Sequence, residues 1–247
     1  MSPLLLAIIA LATFCTSILS GIFGMAGGMI LLAALMTVMP VATAIAVQGV
    51  IQLIANGSRA IFSREYIDWR ILGTILLGLL AAAAVLFIVR YTPDFITVCI
   101  AVGLMPILVW LPKDWLALDA SKPFHGFLCG FFGSGLNLAV GVAGPTIDIF
   151  FIRTQMDRRT VIATKAAAQV LSHGAKIIFY GAMASAMTAG DWSIALIAAP
   201  FAIIGTNVGY RILQRLTDDN FRKWTRWIVT GIGMFYLSRG MLVLAGL

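Results

Sequence analysis

Hydrophobic positions in this chain run in long blocks, parted by short clusters of charge, glycine and proline. The breaks define ten apolar segments, roughly 3–20, 25–39, 42–62, 70–90, 95–111, 124–138, 141–152, 160–181, 193–213 and 225–245. A helix needs about 20 apolar residues, each rising about 1.5 Å, to cross the hydrocarbon of a bilayer. Most segments have that length. Segments 25–39 and 141–152 fall short, so each either crosses at a thin point or forms one arm of a re-entrant hairpin.

Composition sharpens this reading. Of 247 residues, 61% are hydrophobic and 11% charged, whereas an ordinary soluble domain has about 45–50% and about 25%. The first 58 residues contain no Asp, Glu, Lys or Arg. A soluble enzyme, a disordered regulator and a secreted disulfide scaffold are excluded. An all-α polytopic membrane protein with almost no extramembrane domain is expected. The stretch Met1 to Leu19 lacks a basic n-region and reads as a first span, not a cleaved signal peptide. Cys15, Cys99 and Cys129 lie inside apolar runs, without the spacing of a disulfide framework or a zinc site. No metal or cofactor is expected. The net charge of +7 reads as loop cations rather than as a nucleic-acid surface.

Cation placement sets the orientation. With the loops numbered one to nine, the odd loops and their borders hold Arg59, Arg64, Arg70, Lys113, Lys122, Arg153, Arg158, Arg159, Arg211, Arg215, Arg222, Lys223 and Arg226. The even loops hold only Arg90. Positively charged loops stay in the cytoplasm, so the odd loops are expected inside and both termini in the periplasm. The stretch 124–152 must then enter from the cytoplasm and return to it. Its 29 residues make roughly 43 Å of helix, short of the roughly 60 Å that two full crossings need. A re-entrant hairpin or two short, broken helices is expected there.

The chain also repeats itself. Residues 24–62 align with 141–179 at a constant offset of 117 without a gap, and 13 of the 39 positions are identical, among them Gly24/Gly141, Ala26/Ala143, Gly27/Gly144, Gln52/Gln169 and Gly57/Gly174. Each half has five segments, an odd number, so the second half is expected to be inverted relative to the first. Equivalent loops then lie on opposite sides, and they do switch charge: the loop near 40 has no cation, whereas 153–159 has three Arg. The expected architecture is two inverted five-segment repeats, 1–118 and 119–247, with broken or re-entrant helices at the glycine patches. Inverted repeats of this kind occur in secondary transporters, with substrate at the repeat interface.

Two patches could carry chemistry. Gly21 to Gly28 and Gly133 to Pro145 are glycine-rich. Each reads as a helix break followed by a new start, at Gly28 in one and Pro145 in the other. A helix N-terminus inside a membrane offers free N–H groups and the positive end of a dipole, a ready anion site. Gly24, Ala26, Gly27, Gly28, Gly141, Ala143, Gly144 and Pro145 are candidates on that ground. Small residues that let helices pack closely are the plainer explanation for any one of them. The second feature is a polar stripe. Gln48, Gln52, Asn56 and Arg59 fall on one helix face, and Lys165, Gln169, His173 and Lys176 repeat the spacing. Cations inside a span normally face a cavity or a partner, and Asp148 is the main acidic candidate for that partner or for carrying a proton. Snorkelling is the alternative for Arg59 and Lys176 near segment ends. His173 could relay protons or be a satisfied core imidazole. Asn137 flanks the second patch. Trp110, Trp115, Trp192, Trp224 and Trp227 sit near segment ends, as interfacial anchors do. Intramembrane enzyme chemistry is not expected, because no nucleophile–base pair or metal spacing is present.

On the patches Gly24-Met-Ala-Gly-Gly28 and Gly141-Val-Ala-Gly-Pro145, with its length, basic central loops and duplicated halves, the chain resembles the TauE/SafE family of sulfite and organosulfonate exporters. The resemblance covers essentially the whole chain. It implies a transporter of small sulfur-containing anions, such as sulfite, sulfoacetate or other C2 sulfonates, across a bacterial inner membrane, with export the expected direction. The partners expected are the anion and the lipid bilayer, with the chain working alone or as a homodimer. An anion channel of the same architecture is the alternative.

Overall fold

The computed structural model describes residues 3–24, 26–112, 115–142, 144–152, 154–184, 187–215 and 218–246. Ala143, Lys113 and Arg153 lie outside the described residues, as do both terminal residues.

Among the described residues twelve α-helices follow one another: α1 (Pro3–Phe23), α2 (Ala26–Leu35), α3 (Val41–Phe62), α4 (Trp69–Ile88), α5 (Phe95–Leu104), α6 (Pro106–Trp110), α7 (Pro123–Leu128), α8 (Gly135–Val140), α9 (Gly144–Phe151), α10 (Arg158–Ala184), α11 (Ala189–Leu213) and α12 (Asp218–Leu244). A 3-10 turn at Arg64–Tyr66 precedes α4, and a π-helical turn at Cys129–Ser134 joins α7 to α8. No strand occurs among the described residues. Local chemistry explains several starts. Asp68 accepts from the backbone N–H groups of Arg70 and Ile71 to cap α4, and Asp94 accepts from that of Thr97 to cap α5, satisfying donors a helix end leaves free. Thr188 and Asp191 form a capping box at α11. Pro106 and Pro123 occupy the first turns of α6 and α7, where proline loses no hydrogen bond.

Pro3–Phe23, Val41–Phe62, Trp69–Ile88, Ala189–Leu213 and Lys223–Leu244 are long and apolar enough to cross a membrane. Helix α10 is as long, 27 residues, but Lys165, His173 and Lys176 interrupt its apolar character. The protein is an all-helical, multi-pass membrane protein. The stretch 124–152, expected as a hairpin or a pair of broken helices, is built from α7, the π-helical turn, α8 and α9, each too short to span alone.

Helices pack in pairs. Helix α3 lies on α10 at the centre, α1 on α11, α4 on the π-helical turn and α7, and α5 on α12, while α3 also touches α11 and α10 also touches α4. Glycines set these distances: an added Cβ would lie 2.2 Å from the Ile18 carbonyl at Gly209, 2.0 Å from the Phe127 carbonyl at Gly78, and 2.4 Å from the Leu237 side chain at Gly103. Of its apolar window, α3 buries 61% inside the molecule and α12 22%, so α3 is core and α12 periphery. Leu77, Leu80 and Phe87 on α4, Leu196 and Ile204 on α11, and Met234 and Met241 on α12 are exposed, an outer face suited to lipid.

A pocket between two helix breaks

Both glycine patches interrupt a helix by the same device. After α1, Gly24 takes φ +77°; after α8, Gly141 takes φ +89°. A side chain in that left-handed region costs about 1–2 kcal/mol, which explains glycine at both positions. The Gly141 N–H closes α8 on the Asn137 carbonyl at 3.0 Å. The new helices begin slightly earlier than the sequence suggests, at Ala26 rather than Gly28 and at Gly144 rather than Pro145. Glycine at 27 and 28 is tolerated inside the first turn because close packing holds it there. Each new helix folds back on its predecessor: a Cβ at Gly27 would lie 1.8 Å from the Thr16 carbonyl, and one at Gly133 would lie 2.8 Å from Ile147 Cγ1.

A cavity of about 30 Å³ lies where the two breaks meet, lined by Ser20, Gly24, Gly28, Gln48, Gln52, Asn137, Val142, Gly144, Ile147, Gln169 and His173. Its size suits a compact head group of a few heavy atoms. Among the described residues its lining carries amides, an imidazole and a hydroxyl but no Lys, Arg, Asp or Glu. Several buried groups there have no hydrogen-bond partner among the described residues: Gln52 Nε2 and His173 Nδ1 in the lining, and the hydroxyls of Ser134 and Thr146. Gln52 and His173 are each only 4% exposed. Buried polar groups are normally paired, so unpaired polar atoms around a cavity mark a place where a ligand would complete them. The first-turn N–H groups of α2 and α9 add to that set, because helix starts leave them without intrahelical acceptors.

Behind the lining, a buried network fixes the α3 side chains. Lys176 Nζ donates to Gln48 Oε1 at 2.8 Å and to the Gly141 carbonyl at 2.7 Å. Gln48 Nε2 lies 3.4 Å from the Gly28 carbonyl. Asn56 Nδ2 donates to the Gln52 carbonyl at 2.9 Å and to Gln52 Oε1 at 3.3 Å. Asn137 Nδ2 donates to Ser172 Oγ.

A larger cleft of about 380 Å³ adjoins the pocket and shares Gly24, Gly144 and Gln169 with it. Arg59, Pro145, Asp148, Lys165, Tyr210 and Arg226 are among its lining. Lys165 and Asp148 form an ion pair, both partly exposed. Arg59 NH2 reaches the Ser20 carbonyl at 3.4 Å.

The sequence candidates therefore separate by depth. Gly24, Gly28, Gln48, Gln52, Gly144, Gln169 and His173 line the pocket, whereas Arg59, Pro145, Asp148 and Lys165 line the cleft. Asn56 and Lys176 reach the pocket only through the glutamines they hold, and Gly141 through its carbonyl. Ala26 and Gly27 are buried in the first turn of α2. Ser20 and Ile147 line the pocket without having been singled out, and Asn137 was noted only as a flank. One signal was present: Ser20 and Asn137 are 117 residues apart, the repeat offset.

No curated protein and no solved structure matches this chain. A family model described as "Sulfite exporter TauE/SafE" matches residues 9–236.

Proposed function

The chain belongs to the sulfite exporter TauE/SafE family, whose description implies membrane transport of sulfite or related sulfur anions, and from that premise we propose that it is a secondary transporter exporting a small sulfur oxyanion. Sulfite, or the sulfonate group of a C2 sulfonate such as sulfoacetate, sits in the pocket between the two breaks. The observation that carries this reading is the set of unpartnered polar atoms around the cavity, the Gln52 NH2 and His173 Nδ1, beside the first turns of α2 and α9. The three oxygens of an SO3 group accept from the Gln52 NH2, and from His173 in the tautomer that carries its proton on Nδ1. The tail of a C2 sulfonate extends into the cleft, where Lys165 and Arg59 offer charge to a second anionic group.

The architecture proposed is two inverted repeats, 1–118 and 119–247. Two features support it: the positive-φ glycines are one repeat offset apart, and the packing pairs exchange under the repeat. Under it α1 corresponds to α7–α8 and α4 to α11, so the contact of α1 with α11 answers that of α4 with α7 and the π-helical turn; likewise α3 with α11 answers α10 with α4. In the proposed orientation the cleft opens to the cytoplasm, since its rim residues Arg59, Leu111, Ile152, Leu213 and Arg226 border the loops that carry the cations. The form described is then inward-facing and ready to load, and rocking of one repeat against the other moves access to the periplasm of a bacterial inner-membrane protein.

Purified protein in liposomes tests this. Sulfite and sulfoacetate flux should saturate and exceed that of chloride or a simple carboxylate, with and without a pH gradient. Non-saturating flux of every small anion would make the protein a channel, and absence of sulfur-anion flux would reject the substrate class.

A further inference from the structure

We infer that Lys176 and Asn56 are positioning residues that turn the amides of Gln48 and Gln52 so that both present N–H groups to the pocket, and that this selects oxyanions without a hydroxyl over those that carry one. The inference rests on the transport reading above and adds a specificity mechanism to it.

A glutamine amide is nearly symmetric in shape, and its two ends differ only in hydrogen bonding. Left alone on a pocket wall it can offer either an oxygen or an NH2. Here each amide is oriented from behind. The Lys176 amino group, completely buried, donates at 2.8 Å to Gln48 Oε1 while also donating at 2.7 Å to the Gly141 carbonyl. Nζ donates in both contacts, so the Gln48 atom that faces it is the oxygen, the acceptor end of the amide. The NH2 is then driven toward Gly28. Asn56 does the same for Gln52, donating through Nδ2 to Gln52 Oε1 and leaving Gln52 Nε2 without a partner. The two NH2 groups converge on one spot: a Cβ added at Gly28 would lie 3.3 Å from Gln48 Nε2 and 3.5 Å from Gln52 Nε2. An oxyanion seated against that glycine faces both NH2 groups.

Lys176 has a second consequence. Among the described residues no carboxylate pairs with it; Lys165 holds Asp148. Its amino group sits behind the amide of Gln48, where the chain of hydrogen bonds strengthens the donors that face the cavity. Through Gly141 it also ties the second helix break to α3, so one side chain joins the break in one half to the pocket wall in the other.

The recognition that follows is chemical. A sulfonate or sulfite dianion offers oxygens only. Dihydrogen phosphate carries two hydroxyls: one can point out of the pocket, as the carbon of a sulfonate does, but the other then faces the convergent NH2 groups and leaves donors facing donors, a mismatch that buried sites reject strongly. Binding of methanesulfonate and of inorganic phosphate to the purified full chain, at a pH below the second ionisation of phosphate, tests this. Wild type should prefer methanesulfonate by at least tenfold. Lys176→Met frees the Gln48 amide to turn, so methanesulfonate should bind at least tenfold more weakly and the preference should collapse toward unity, because a turned amide accepts the phosphate hydroxyl. A role confined to stability would leave that ratio unchanged. Gln48→Glu covers failure of the first variant to fold: it keeps the shape and pairs with Lys176, but replaces the inward NH2 with oxygen, and methanesulfonate binding should fall at least a hundredfold. Wild-type affinity and ratio in either folded variant overturn the inference alone, as does a wild type without preference. A wild-type protein that binds neither methanesulfonate nor sulfite overturns the transport reading and this inference with it.

Discussion

At Gly27 and Gly28, neighbours in one helical turn, the same substitution has two different consequences. A Cβ at Gly27 would strike the Thr16 backbone carbonyl at 1.8 Å, and backbone cannot step aside. Gly27→Ala should cost at least about 3 kcal/mol as overpacking and remove the monodisperse peak in detergent gel filtration. A Cβ at Gly28 meets only the flexible ends of Gln48 and Gln52, at 3.3 and 3.5 Å. Gly28→Ala should keep the thermal midpoint and weaken sulfite binding at least about tenfold, roughly 1.4 kcal/mol, read by a binding titration on the same preparation. The spacing of Gln48, Gln52, Lys165, Gln169 and His173 announced a shared polar face before any coordinates. What spacing could not announce was depth. Lys176 sits on the same stripe as Gln169, yet it points into the α3–α10 contact, and only the close approach at Gly49, where a Cβ would lie 3.0 Å from Lys176 Cδ, makes that so. Cation and counter-ion were equally undetermined: Asp148 could have faced Lys165 or Lys176, and in the structure it pairs with Lys165.

Among the elements, breakers were legible and pairings were not. The apolar blocks, the shortness of α2 and α9 and the interrupted stretch 124–152 all follow from sequence, because glycine, proline and charge mark where an apolar helix must stop. The starts of α2 and α9 were misread by two residues and one, because helix propensity disfavours glycine in a first turn and tertiary packing overrides it. The π-helical turn at Cys129–Ser134 left no sequence signal; it arises where Gly130 and Gly133 press against α4 and α9. Contact between α1 and α11 had a signal, the Gly205-x-x-x-Gly209 spacing of close helix packing, hidden among many other glycines. Element ends away from the pocket should affect stability without affecting substrate. Asp68→Ala removes the α4 cap and should cost about 1 kcal/mol, lowering the thermal midpoint while sulfite affinity stays at the wild-type value. Loss of affinity in that variant would mean that α4 reports to the pocket.

For the whole molecule, the prediction concerns sidedness. With Cys15, Cys99 and Cys129 replaced by alanine, a cysteine at Ile152 or Val109 on the cleft should react with a membrane-impermeant thiol reagent in inside-out vesicles and resist it in right-side-out vesicles. Reversed labelling would overturn the orientation drawn from the loop cations. The pocket itself has one further consequence at this scale. Among the described residues its lining holds no formal charge, so an anion seated there is held by charge-assisted hydrogen bonds, about 1.5–3 kcal/mol each before the cost of desolvating it. On the proposed transport reading, a site without a fixed counter-charge holds its load more loosely than a cationic one would, which suits an overflow valve that relieves a cell of excess rather than a scavenger of the last molecules.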